Sequence, residues 1–438
     1  MVGSTAESRS RAEPSSVPTP EELSDLRVII PVGGEARRLR PLTAEACKAV
    51  VRIFNRPLVE FAMVELARQG VKHFIFGAKG YVNYKSLIDN FGEGIGFSQQ
   101  YEIKPRIHVK YQPRIDDVGS ADSVRIIMDY YDIRKQFLVV QGDNLFEIDL
   151  PELIRFQRRT KAFMVVVLTP VEQVEAYGVA DMDSDGRILR FVEKPSRETA
   201  PSKMANTGIY LISPGIREVF EQPEVQKMIN VNKRLDFGLD LIPYLAERYP
   251  VFGYQLQGDW EDVGTPRGYL HAVASVLSKR DRPWSYLGNP VPGLQDVLIQ
   301  GMSPESIKRR EDIVRSVLAG KITLDGSVLI GRHCQIGEGS TIRSSCIDNF
   351  CIIGKGVTIE RSAIMDRVVV EDGAMIQDSI VGRHVRVGSS LAKPTWLTGL
   401  TVLGDDVNLG DGAVLISTKV NPHVSIPAGS SLEGRTIE

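Results

Sequence analysis

The sequence predicts an α/β domain with a mostly parallel sheet, followed by a parallel β-helix. Three observations carry this expectation. From residue 27, short β-branched runs alternate with amphipathic segments; past residue 321, aliphatic residues recur roughly every six positions; and glycine follows many of those aliphatics.

The first half reads in order as "RVIIPV", "PLVEFAMVELARQG", "HFIFGA", "FLVVQGD" and "FMVVVLT". Strands this continuously apolar need cover on both faces, which intervening helices supply. In the segment after Pro57, Leu58, Ala62 and Leu66 share one helical face, and Gly70 marks the helix end. The second half carries Ile330-Gly331, Ile336-Gly337, Ile353-Gly354, Val381-Gly382 and Val387-Gly388. An antiparallel sheet with glycine turns would alternate every two residues, without a six-residue spacing. Within this half, "SLAKPTWLTGL" breaks the period and reads as a loop or distorted coil. These readings divide the chain into a disordered tail at 1–26, with a helical turn in "PTPEELSDL", an α/β domain at 27–279, a linker at 280–320 and the β-helix at 321–438.

Composition excludes several function classes. The chain is 42% hydrophobic and 25% charged with a formal charge of -2, so it offers no global basic footprint for nucleic acid or a membrane surface. The N-terminal residues contain neither a signal-peptide core nor a span able to cross a bilayer. Cys47, Cys334, Cys346 and Cys351 lack metal-ligand spacing and are too sparse for a disulfide scaffold, which favours a reducing, cytoplasmic setting.

Any anion site is therefore local, and "VGGEARRLRPLT" (residues 32–43) is the candidate. A glycine-rich turn leaving the first strand of such a sheet lies at the carboxyl edge, where ligands bind. Gly33 and Gly34 let backbone N–H groups approach a phosphate, while Arg38 and, further on, Lys48 supply cations. The stretch is neither a Walker A loop nor a dinucleotide turn; taken alone, it reads better as a surface turn with solvated arginines.

Further motifs follow it: "KAV", "GSADS", "VVQGDN", "YGV", "FVEKP", "NTGIY" and "DWEDVGTP". In this order and spacing they resemble the sugar-1-phosphate nucleotidylyltransferases, in the subgroup with a C-terminal left-handed β-helix, and the resemblance covers residue 27 to the end. It implies a Rossmann-like nucleotidyltransferase domain in which a sugar-1-phosphate oxygen attacks the α-phosphorus of a nucleoside triphosphate and expels pyrophosphate, chemistry that needs alignment and charge neutralisation rather than a covalent nucleophile. It places Arg38 and Lys48 on the phosphates, and Asp143 and Asp262 on a shared Mg2+, an ion satisfied by one or two carboxylates plus substrate oxygens. Glu193 becomes an acceptor for a sugar hydroxyl and Lys194 a contact to the sugar phosphate; because neighbours in a strand face opposite ways, the strand must end or twist there. Tyr177, Gly178, Asn206 and Thr207 would line the sugar pocket. Gln112, Gly119 and Ser120 match the nucleoside segment, where a glutamine can pair with a pyrimidine edge. Uracil or thymine is thereby favoured, with adenine or guanine left open.

The sequence departs from the family pattern at two motifs. Ala36 stands where glycine is usual and accepts positive φ less readily, Glu35 adds a negative charge beside it, and Cys47 replaces the proline before the lysine. Two rival expectations follow: a non-catalytic regulatory homologue that binds nucleotide sugar, and a bifunctional enzyme whose β-helix transfers acetyl groups. His333, His384 and His423 fall in rungs or turns and match no catalytic motif. The β-helix is expected to assemble the chain into a homo-oligomer.

Overall fold

The computed structural model describes residues 16–34, 36–279 and 287–438. The expected disordered tail therefore lies, through residue 15, outside the described residues; beyond it, the expected helical turn is Pro20–Asp25, closed by a reciprocal cap between Thr19 and Glu22. The chain divides into two compact units. One comprises Met1–Gly33, Ala62–Gln141 and Phe146–Trp260, the other Gly34–Phe61, Gly142–Leu145 and Glu261–Glu438.

The first unit is built on a nine-stranded sheet. The sequence runs Arg27–Val32, His73–Ala78, His108–Tyr111 and Phe137–Val140 pair in parallel, as their continuous apolar character requires. The long strand Met204–Ile212 enters antiparallel beside Phe137–Val140 and beside Met164–Pro170, and Gly178–Met182 and Ile188–Glu193 extend the sheet. The sheet is thus parallel on its N-terminal side and mixed where the sugar-pocket motifs reside. Arg27–Val32 and Phe137–Val140 end at the same edge, so the chain leaves there at Gly33 and again at Gln141. The helix expected after Pro57 spans Leu58–Arg68, and Gly70 follows at φ 109°.

The second unit contains the β-helix, made of three parallel sheets that each receive one short strand per rung. Ile342 pairs with Ile359 and Ile359 with Ile376, so one rung takes seventeen residues, three of the six-residue repeats less one. All three isoleucines are fully buried in a continuous core that also holds Val357, Val370, Leu397 and Leu415. Where "SLAKPTWLTGL" breaks the repeat, the pairing step widens, Ile376 to Leu397, yet Trp396–Thr398 is a regular strand. The added residues are absorbed in the turn before it, closed by hydrogen bonds between Ser390 and Lys393. The segment expected as a linker contributes to this unit as well: Asn289–Val291 and Leu294–Ile299 join the rung sheet through Val328–Ile330, and Pro304–Leu318 is the charged helix.

On one flank, the rungs carry a second cluster in which Leu329, Cys346, Ala363, Ile380 and Val402 pack with Leu39, Ile53, Phe54 and Tyr269. Arg52–Ile53 and Arg56–Pro57 form a hairpin whose two turn residues, Phe54 and Asn55, both take positive φ, as a two-residue hairpin turn demands. Asn55 docks this turn on the rungs: its side chain accepts from the Asn349 N–H at 2.7 Å and donates to Gln300 Oε1 at 2.6 Å. Among the described residues, no helix is long and apolar enough to cross a membrane.

Asp348 lies in this packed flank, 2% exposed, with the Cys346 thiol on its Oδ1 at 3.4 Å. Burial, reinforced by the neighbouring Asp366 carboxylate, pushes its pKa up to about 8. The native state then holds a proton that the unfolded chain releases above about pH 4. Stability from this group is full below that pH and is lost as pH rises toward 8. Asp348→Asn is expected to flatten the decline in stability between pH 5 and pH 8 relative to the parent, with the two proteins compared in urea melts at each pH.

Candidate active site

The loop after Arg27–Val32 carries its strain at one residue. Gly33 and Gly34 have no positive φ; the left-handed conformation falls on Ala36, at φ 44° and ψ 39°. An L-residue with a Cβ is held there at a cost of about 1–2 kcal/mol. What holds it is visible: the Thr43 hydroxyl donates to the Ala36 carbonyl at 2.9 Å, and Leu39, fully buried, anchors the following turn Arg37–Leu39. Arg38 in that turn is exposed and makes no ion pair among the described residues. Glu35, expected beside the phosphates, lies outside the described residues. Cys47 sits at φ -69°, the value proline would impose, and so preserves the entry into the turn Lys48–Val50 despite the altered residue.

Lys48 is the centre of the second unit's polar cluster. Its ammonium contacts Asp143 Oδ2 at 2.6 Å and Asp262 Oδ1 at 3.7 Å, and the Lys48 side chain is only 14% exposed. Arg38 faces the same place: a Cβ added to Gly264 would stand 2.8 Å from Asp262 Oδ1 and 3.3 Å from Arg38 Nη2. Asp262 is fixed by the start of the helix Pro266–Ser278, where Thr265 caps the Gly268 N–H and a Cβ on Gly268 would meet the Asp262 carbonyl at 2.5 Å. Asp143 Oδ1 is buried and has no hydrogen-bond partner among the described residues. A buried carboxylate oxygen without a donor, next to a second carboxylate, is the donor set a hard divalent cation takes when substrate oxygens complete its shell. Asp143 and Asp262 are the residues that fit such an ion. Arg38, Lys48, Asp143 and Asp262 are thus brought together within one unit.

The residues expected around base and sugar belong to the other unit. Gln112 is 3% exposed and its amide is engaged internally: Oε1 accepts from Ser123 Oγ, and Nε2 donates to the Arg114 carbonyl and to Asp117 Oδ2. Burial raises the Asp117 carboxyl above its ordinary range. Gly119 precedes the helix Ser120–Tyr130, and a Cβ there would lie 2.5 Å from the Leu235 carbonyl. The Ser120 N–H and hydroxyl both donate to Asp236 Oδ1. Gly33 and Gly34 are exposed.

At the sugar motifs, Ile188–Glu193 ends at Glu193 and Lys194 turns away at φ 47°, which resolves the opposite-face problem. Lys194 is more than half exposed and lies 3.3 Å from Glu193 Oε1. The Glu193 carboxylate occupies space left by two glycines, since a Cβ on Gly178 or Gly238 would meet Oε2 at 2.6 or 2.3 Å. Thr207 is buried and its hydroxyl donates to the Val167 carbonyl, while Asn206 donates to Tyr210 Oη and accepts from the Gly208 N–H. These two polar side chains stabilise the strand Met204–Ile212. Tyr177 packs edge-on against Trp260, whose indole donates to the Thr207 carbonyl at 3.3 Å. Trp260, Gly238 and Asp236 were not singled out from sequence; Trp260 stands two residues before Asp262 in "DWEDVGTP", the signal that was available.

Known proteins resemble this chain over most of its length. The family described as Nucleotidyl transferase matches residues 27–279, and the one described as GMPPB C-terminal domain matches 321–437. A UTP--glucose-1-phosphate uridylyltransferase from Synechocystis is 27% identical, covering 74% of this chain and 82% of that protein. Mannose-1-phosphate guanylyltransferase 1 of Arabidopsis thaliana is 26% identical over 92% of this chain and 97% of its own length. The mannose-1-phosphate guanylyltransferase catalytic subunit beta of Drosophila pseudoobscura is 29% identical over 92% and 94%.

The strained loop yields a paired expectation. Ala36→Gly removes the steric penalty of the left-handed residue but adds freedom to the unfolded chain worth about 0.4–1 kcal/mol, leaving stability equal or slightly higher. Ala36→Val, β-branched at the same φ, should lower the melting temperature clearly. Calorimetry of the two variants checks the sign of each change.

Proposed function

The chain belongs to the nucleotidyl transferase family, among the sugar-1-phosphate nucleotidyltransferases, and from that premise we propose that it transfers a guanylyl group from GTP to mannose-1-phosphate with Mg2+, releasing pyrophosphate. The observation that carries the transfer reading is the convergence of Lys48 and Arg38 on Asp143 and Asp262.

Arg38, exposed and without an ion pair among the described residues, is free to take the β- and γ-phosphates and to neutralise charge as pyrophosphate departs. Lys48 provides a second cation, held at a fixed position by its carboxylate partners. Asp143 and Asp262 would hold Mg2+, which when bound would neutralise charge on phosphate oxygens. Glu193, seated over Gly178 and Gly238, is the acceptor for a sugar hydroxyl, and Lys194 the contact to the sugar phosphate.

The base assignment rests on two supports. Both ends of the Gln112 amide are spent on protein partners, which weakens the pyrimidine reading made from that residue. The guanylyltransferase relatives also align through the β-helix, whereas the uridylyltransferase covers less of the chain. Transfer from UTP or dTTP to glucose-1-phosphate is the second reading, favoured by that same uridylyltransferase relative. The histidines weigh against acetyl transfer: His333 contacts Ser306, His384 contacts Asp406 and His423 contacts Glu45, all at turn positions with positive φ. The four free, buried cysteines support a cytoplasmic site of action, and the parallel rung sheets support a homo-oligomer.

Pyrophosphate release is to be measured with Mg2+, four nucleoside triphosphates, and mannose- or glucose-1-phosphate. GTP with mannose-1-phosphate is expected to exceed every other pairing in kcat/KM by about tenfold or more. A lead for UTP or dTTP would overturn the base assignment, and no release with any pairing would favour the regulatory homologue. Asp143→Asn should lower kcat/KM by about 100-fold, the scale for losing one charge-stabilising group, with an unchanged circular-dichroism spectrum.

A further inference from the structure

Within the second unit, the helix Pro266–Ser278 stands off one corner of the β-helix and leaves a cleft of about 680 Å3. One wall is apolar, formed by Leu270, Val273 and Ala274 from the helix and Leu400 from a rung turn. The polar groups are few and unequal. Arg361 lines the cleft but is neutralised by a two-pronged ion pair to Asp378, at 2.7 and 2.8 Å. Arg267 also lines it and has no hydrogen-bond or ion-pair partner among the described residues. Ser344 also lines it. The one carboxylate of the lining is thus already paired, and the uncompensated charge is a guanidinium beside an apolar wall.

We propose that this cleft binds a small organic anion with an apolar ring or chain, and that its occupancy is transmitted to Asp262. Charge complementarity selects the anion: Arg267 takes a carboxylate or phosphate, Ser344 hydrogen-bonds a neighbouring polar atom, and the apolar body covers Leu270, Val273 and Leu400. The volume suits a molecule of ordinary metabolite size rather than a folded partner. The route to Asp262 is short. His271, from the same lining, lies 3.5 Å from Glu261, which is 12% exposed and adjacent to Asp262 in sequence. The first turn of the same helix abuts the Asp262 carbonyl at Gly268. A ligand that fixes the helix therefore biases the carboxylate that Lys48 holds, giving two sites and a shared element whose position each can influence.

The binding half of this proposal stands apart from the donor assignment; the catalytic half rests on nucleotidyl transfer. Anilinonaphthalene sulfonate, a fluorescent amphipathic anion, is the probe, titrated into the full chain with saturating nucleoside triphosphate and Mg2+ so that the substrate site is filled. Saturable binding is expected, weakened at least about tenfold by Arg267→Glu and by Ala274→Trp, which fills the cleft. Naphthyl phosphate and naphthoate, compared as competitors, decide between a phosphorylated and a carboxylated ligand. The probe should also change kcat or KM for pyrophosphate release at least about twofold in the parent and not in Ala274→Trp, an effect of the size ordinary allosteric coupling allows. Binding unchanged in both variants overturns the site. Binding with no kinetic effect overturns the link to Asp262. A parent that ignores the probe, together with an Ala274→Trp protein that loses its oligomeric state in light scattering, makes the cleft a contact between copies and overturns the ligand.

Discussion

A single ammonium between two carboxylates organises the candidate active site. Asp143 and Asp262 would repel one another in a partly buried setting, and Lys48 converts that repulsion into attraction. The three residues reach this point from separate segments, and each arrives on a backbone with its own reason to be there. Lys48 opens a turn whose next two residues, Ala49 and Val50, are buried. Asp262 ends a strand directly before a Thr265-capped helix, with Gly264 and Gly268 leaving no room for side chains. The geometry is thus imposed by main chain and packing. Energy spent on ordering long side chains is correspondingly small, which is the condition for a site that works by pre-set charge.

That main chain is in turn seated on the β-helix. The residues that carry both cations, Gly34–Phe61, cluster with the rungs, although in sequence they lie between the first strand and first long helix of the α/β half. Leu39 and Phe54 fill the flank formed by Leu329, Cys346, Ala363, Ile380 and Val402. Asn55 closes the contact with two short hydrogen bonds, and the Tyr269 hydroxyl, from the helix after Asp262, donates to the Arg52 carbonyl at 2.6 Å. The β-helix therefore supports the segment that carries Arg38 and Lys48 directly. A change at a rung flank has a mechanical route to Lys48, through the hairpin, and to Asp262, through the helix that holds Tyr269.

What the sequence made legible follows from the range of the forces involved. Strands such as "HFIFGA" and the repeating aliphatic-glycine pairs express burial with a fixed period, and a period is a local property of the chain. The strand Trp396–Thr398 escaped because the residues inserted before it shift the phase while leaving the lumen position of Leu397 intact. The strands in Asn289–Ile299 escaped because they precede the first clear repeat. Site residues read from motifs were placed together where the role is charge, as for Arg38, Lys48, Asp143 and Asp262. Gln112 and Thr207 differ: their polar groups serve Ser123, Asp117 and Val167, and no pattern in the sequence tells a buried partner from a ligand.

Ala36 bears on whether this is a working catalyst. The family resemblance implies a glycine at this position, a residue that takes a left-handed φ without steric cost. With the glycine gone, the simplest outcome would be a relaxed loop at ordinary φ, with Arg38 redirected. Instead Ala36 stays at φ 44°, held by Thr43 and by the buried Leu39, and Arg38 still faces Asp262. The loop thus keeps its shape against a local penalty, using contacts outside the altered residue. Cys47 tells the same story at the other cation, reproducing the proline-like φ that starts the turn of Lys48. Backbone strain maintained in this way marks positions where geometry is over-determined by its surroundings. Here those surroundings are the ones that aim two cations at two carboxylates. The departures from the family pattern thus coexist with two cations aimed at two carboxylates, which argues for nucleotidyl transfer over a purely regulatory role.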